Sequence, residues 1–243
     1  MVKGAMMSRK HECQSSALRA NRCGIQLRML NSNRGSRVTS AALVLLAAMG
    51  PPSCRAGDPA PPDANPRDQS ALKRFQDGGG EVANAVWWGF EPRDSTHAIQ
   101  GAINSGARQV RVPFVGEDWV VRPIKLASNQ EIVFDAGVVV VAKKDGFRGT
   151  HECLFEGVKV SNVVIRGYGA TLRMRKADYA QEPYGKSEWR HALSLKEASN
   201  VRVFGLTLEH SGGDGIYVGP TGDEHRIPCR DIVIQDCTCA DNY

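Results

Sequence analysis

From Gln109 onward the chain alternates short apolar runs with polar, glycine- and asparagine-rich breaks. The runs are Gln109–Val112, Trp119–Val121, Glu131–Phe134, Val138–Val141, Val163–Ile165, Ala192–Leu195, Val201–Leu206, Thr207–His210, Gly215–Val218 and Ile232–Ile234. Runs of three to six residues, rich in β-branched side chains and bounded by turn formers, read as strands. Only one stretch before them carries helical spacing. Ala98, Ile99, Ala102 and Ile103 share a face, Asp94 or Ser95 can cap it, and Gly106 ends it. This predicts a helix over 95–105.

The runs repeat. Ser128-Asn129-Gln130-Glu131-Ile132 returns as Ser161-Asn162-Val163-Val164-Ile165, then as Ser199-Asn200-Val201-Arg202-Val203, and more weakly as Arg230-Asp231-Ile232-Val233-Ile234. The Asn/Asp positions are 33, 38 and 31 residues apart, as in a repeat whose insertions fall in loops. Asn suits such a turn because it tolerates the left-handed region and hydrogen-bonds its own backbone. A tighter repeat aligns His191–Leu195 with Asp214–Val218 at an offset of 23. Three short strands in 23 residues form one rung of a parallel coil. A sandwich of hairpins would need two-residue turns of Asn-Gly type, and none separates these runs. A helix at the start of such a coil covers its open strand edges. The expected fold is therefore all-β: a right-handed parallel β-helix, a solenoid, with an N-terminal capping helix.

Charge divides the 243 residues in two. Residues 1–57 carry nine basic side chains and one acid, which leaves 22 basic and 25 acidic residues over 58–243. A mildly acidic body argues against nucleic-acid binding, whose basic patch belongs on the folded domain. Arg34 and Arg37 precede the apolar run Ala41–Met49, followed by small and turn residues up to Ala56. That is the pattern of a signal peptide, with translation starting at Met29. The run is short of the roughly 18 residues that span a bilayer, so no transmembrane segment is expected in the mature chain. Residues 1–56 thus read as a leader, 57–68 as a proline-rich linker and 69–243 as the β-helix domain, exported to the periplasm, the cell surface or beyond. Cys153, Cys229, Cys237 and Cys239 remain in the body, without metal-ligand spacing; they read as buried free thiols.

Gly89-Phe90-Glu91-Pro92-Arg93-Asp94-Ser95-Thr96-His97-Ala98-Ile99-Gln100 resembles the opening segment of the pectate-lyase superfamily, in which Asp-(Ser/Asp)-Thr-x-Ala-Ile-Gln begins the capping helix. Val110-Arg111-Val112-Pro113 is similar to its first strand. The resemblance covers roughly 84–243. It implies the β-helix fold and leaves lyase, glycoside hydrolase, epimerase and non-catalytic adhesin open. Asp214-Gly215-Ile216 resembles the active-site strand of polygalacturonase-like hydrolases. The further motifs of that family, a Gly-His-Gly and an Arg-x-Lys, do not follow here. The next rung offers Asp241-Asn242, and the expectation is a coil truncated at its C-terminus.

Equivalent positions on successive rungs stack about 4.8 Å apart. The repeats predict a polar column of Glu152, His191, Asp214 and Asp241. Carboxylates one or two rungs apart would suit retaining or inverting glycosidase chemistry, and like charges so placed would raise one pKa to supply a general acid. Asp beside Gly is equally a common turn residue. The basic, aromatic insertion 173–191 is the second candidate. Trp189 and Tyr184 could stack on sugars and Arg190 and Lys186 could bind uronate carboxylates, or the loop could be solvated with Trp189 packed on the coil. In a lyase, Lys186, Arg190 or His191 would abstract the proton and a cation such as calcium would neutralise the carboxylate. Asp223-Glu224-His225 reads as a solvated turn rather than a metal site. The sequence thus points to an exported protein acting on an acidic polysaccharide by hydrolysis or β-elimination. The rival is a non-catalytic scaffold for glycan binding or surface attachment.

Overall fold

The computed structural model describes residues 26–28, 69–78, 80–222 and 227–243. Its strands coil in rungs. The first full rung holds β3 (Gln109–Val112), β4 (Trp119–Val121) and β5 (Ile124–Lys125). The next holds β6 (Gln130–Phe134), β7 (Val139–Ala142) and β8 (Phe155–Val158). Then come β9 (Ser161–Arg166), β10 (Thr171–Arg173) and β11 (Leu193–Lys196). They are followed by β12 (Ser199–Phe204), β13 (Thr207–Glu209) and β14 (Ile216–Gly219), then β15 (Arg230–Gln235) and β16 (Thr238–Ala240). Every third strand pairs in parallel, which builds three sheets. The first runs β15-β12-β9-β6-β3 and ends on β2 (Val82–Asn84); the second runs β16-β13-β10-β7-β4; the third runs β14-β11-β8-β5. This is a three-faced parallel β-helix, as the sequence predicts.

Alternation explains it. One side of each strand faces the axis, and parallel register stacks like on like. Val110, Ile132, Ile165, Val203 and Ile234 form one inner column. Trp119, Val140, Leu172, Leu208 and Cys239 form the second, and Ile124, Phe155, Leu193 and Ile216 the third. Burying these columns is the main driving force for coiling. Cys237 and Cys239 belong to the wall over Leu206 and Leu208. Cys153 and Cys229 are buried as expected, but Cys239 is exposed on the last rung.

The turns into the first sheet are held by the predicted residues. Asn129, Asn162, Asn200 and Asp231 have φ of 61°, 57°, 50° and 53°. Asn162 Nδ2 donates to Asn129 Oδ1 (2.7 Å), and Asn200 Nδ2 donates to Asn162 Oδ1 (2.8 Å), so the side chains form a ladder beside the strands.

α1 (Gln69–Gly78) packs on the 3₁₀ turn Ala85–Trp88, and α2 (Thr96–Asn104) covers the first rung. α2 buries Ala98, Ile99, Ala102 and Ile103, the predicted face. Asp94 Oδ1 accepts the Thr96 backbone N–H, while Ser95 makes no side-chain cap. α1, β2, β5, β8, β10, β16 and the one-turn α3 (Lys176–Tyr179) are elements the periodicity does not reveal. Neither does β1 (Gln26–Arg28), which pairs in parallel along the outer edge of β15. The apolar run 41–49, the linker 57–68 and Asp223-Glu224-His225 lie outside the described residues. Among the described residues no helix is long and apolar enough to cross a membrane.

Candidate functional site on the third sheet

β11 and β14 pair Leu193 with Ile216 and Leu195 with Val218, the predicted offset of 23. His191 and Asp214, just before these strands, therefore lie on adjacent rungs. His191 Nδ1 accepts the Asp214 backbone N–H at 2.8 Å, and Asp214 Oδ2 stands 3.5 Å from the same nitrogen. Gly213 permits this approach. A Cβ there would stand 2.5 Å from the Glu188 carbonyl oxygen and 2.8 Å from His191 Nδ1. The imidazole is buried and the Asp214 carboxylate is exposed. Burial pushes the His191 pKa below 6.5, against the pull of Asp214. With Nδ1 accepting, the proton of the neutral ring sits on Nε2, which is buried without a partner.

Two members of the predicted column fall outside it. Leu193 pairs with Phe155, which sets Cys153, not Glu152, beneath His191. The Glu152 carboxylate instead accepts the Gly149 N–H at 2.8 Å, closing a local turn. Asp241 follows β16, whose register with β13 sets it over His210 at a different corner. It meets His210 Nδ1 at 2.8 Å and Lys176 Nζ at 3.4 Å. The column thus holds Cys153, His191 and Asp214, a single carboxylate, and the paired-carboxylate geometry does not form there. Burial pushes the Cys153 thiol above its ordinary pKa, which favours the neutral thiol.

The insertion divides as well. Arg190 is fully buried. Its Nε donates to the carbonyls of Phe147 and Gly149 (3.0 Å each) and Nη2 to that of Gly185 (2.9 Å). The guanidinium lies 5.2 Å and 5.7 Å from the ring centres of Tyr179 and Tyr184. Tyr184 is buried too, its hydroxyl accepting the Asp145 N–H at 2.7 Å. Arg190 pins the insertion to the coil and its charge is turned away from solvent, while Tyr184, though mostly buried, lines the cavity beside it. Lys186 is exposed and lines, with Lys176 and Tyr179, a cavity of about 480 Å³.

Trp189 is 49% exposed. It stacks on His151 (centroids 6.0 Å apart, planes at 13°) and meets His191 and Tyr217 edge-on at 6.1 Å each. Tyr217 stacks on His191 at 4.7 Å. These four rings make an aromatic shelf beside Asp214. Below it, Glu156, Ser194 and Tyr217 form one outward column of the third sheet. Glu156 is nearly buried between Lys125 Nζ and Lys196 Nζ, the latter at 2.9 Å. Burial would raise its pKa, but the two lysines outweigh burial and hold it ionised below 4.5. Ser194 Oγ is buried without a partner. The same 23-residue offset that located Asp214 aligns Ser194 with Tyr217 and would have located both. His151 and Glu156 sit on a rung whose insertions hide the spacing; Lys196 falls within the aligned strand, opposite Gly219.

No family model matches the chain, and no curated protein matches it. Among solved structures it is similar to ORF18 of Geobacillus virus E2 (TM-score 0.43, 19% identity over 63% of this chain), where the match spans only 31% of the viral chain. It is also similar to a provisionally assigned glycosyl hydrolase from Parabacteroides merdae (TM-score 0.38, 15% identity), over 65% of this chain and 95% of that one.

Proposed function

We propose that this β-helix recognises carbohydrate, and that the saccharide lies on the third sheet against Trp189. The observation that carries the reading is the half-exposed indole packed against His151, His191 and Tyr217 next to an exposed carboxylate. A sugar presents an apolar C–H face and a rim of hydroxyls. An indole takes the first, and a carboxylate accepts hydrogen bonds from the second. Three ring neighbours fix the indole before binding, which lowers the entropy lost on association.

Recognition has more support than cleavage. Asp214 has no carboxylate partner in its column, Glu156 is held ionised by lysines, and His191 spends its Nδ1 lone pair on an amide. A uronate-specific site loses its strongest cation, because Arg190 faces inward. Export stays part of the proposal as an expectation from the leader.

The test is calorimetric titration of the full chain with dextran and with polygalacturonate, alongside assays for new reducing ends and unsaturated uronates. Binding without turnover is expected, with Trp189→Ala weakening it about tenfold (~1.4 kcal/mol). Equal affinity in the variant would refute the shelf. Cleavage abolished by Asp214→Asn would replace recognition with catalysis.

A further inference from the structure

We infer that the binding path extends along the coil axis to a second saccharide site at the N-terminal cap, so that the preferred ligand is a polymer rather than a single sugar. The inference rests on the third sheet being a carbohydrate face. Its own observation is a cavity of about 1000 Å³ between α1, α2 and the 3₁₀ turn, lined by Trp88, Phe75, His97, Gln100 and Asn104. That size is ample for a small-molecule ligand, and the lining combines aromatic rings with amides, the groups that meet sugar faces and hydroxyls. Trp88 lies across Gly101, where a Cβ would stand 2.4 Å from the indole, so the ring is seated against the helix backbone. Among the described residues no hydrogen bond engages the His97 ring or the Asn104 amide nitrogen, and both residues are exposed. They remain available to a ligand.

Side-chain contacts link the cavity to the outer face of the third sheet. Gln100 lines the cavity and clamps the Lys125 backbone twice, accepting its N–H at 2.8 Å and donating to its carbonyl at 3.0 Å. Lys125 in turn reaches Glu156, the residue beneath Ser194 and Tyr217 in the outer column. From β5 to β14 there are three inter-strand spacings, about 14 Å at ~4.8 Å each. A chain of several sugars running parallel to the axis bridges that distance, whereas a monosaccharide cannot.

The experiment is calorimetric titration of the full chain with dextran and with glucose, comparing wild type, Trp189→Ala and the double variant His97→Ala/Asn104→Ala, whose changes are on the surface of α2. The double variant is expected to weaken dextran binding about fivefold or more and glucose binding by less. Dextran binding that falls in Trp189→Ala but not in the double variant overturns the cap site and leaves the shelf standing. Binding that falls only in the double variant keeps the cap site and removes the shelf.

Discussion

His191 and Asp214 are 23 residues apart in sequence and one rung apart in space, joined by an amide N–H that ends on an imidazole lone pair. The bond exists only while Nδ1 is unprotonated. Protonation would exchange it for an ion pair with the Asp214 carboxylate, 3.5 Å away, in a ring that is otherwise buried. Folded His191 therefore binds its proton less readily than unfolded His191. The unfolded chain takes up more protons as pH falls through 6.5, so this group's contribution is full above 6.5 and is lost below it. Urea titrations at several pH values should show stability declining in that window, and His191→Gln should flatten the decline. Glu131 and Glu156 titrate below 4.5 and leave the window clear.

The asparagine ladder separates two costs. Asn162→Ala removes both side-chain bonds and places a Cβ residue at φ 57° without local compensation. A loss of about 1–3 kcal/mol is expected. Asn162→Gly removes the same bonds but tolerates the backbone, so it should cost less than Ala. Chemical denaturation ranks the two, and Gly at or below Ala in stability would contradict the account of the turn.

Arg190 is a structural residue despite its charge. Truncation to Ala strands four carbonyl acceptors and empties the space between Tyr179 and Tyr184. A loss of about 3–5 kcal/mol is expected. Lys186→Ala, at an exposed position, should change stability by less than about 0.5 kcal/mol. A stable Arg190→Ala protein with impaired ligand binding would instead return Arg190 to the binding surface.

What the sequence revealed follows from what repeats. Inner columns such as Ile132–Ile165–Val203 recur in kind, and the turn positions recur as Asn or Asp because few other residues tolerate positive φ. β8 was hidden because Phe155-Glu156-Gly157-Val158 carries a charge outward and a glycine inward, leaving no apolar alternation to read. Glu152 missed the column by one residue, and on a strand one residue is the opposite side. Arg190 read as a surface cation because nothing local announces a cage of carbonyls drawn from residues 147–149, more than forty positions away. Trp189 was legible as an aromatic in a loop. Its fixing by His151 and Tyr217 depends on three rungs meeting, which only the register decides.

The most direct test of the central claim is the structure of the protein with a bound oligosaccharide. A sugar ring should lie parallel to the Trp189 indole with a hydroxyl within about 3 Å of an Asp214 carboxylate oxygen. A ligand bound with Trp189 bare, or seated on either of the other two sheets, would contradict the account.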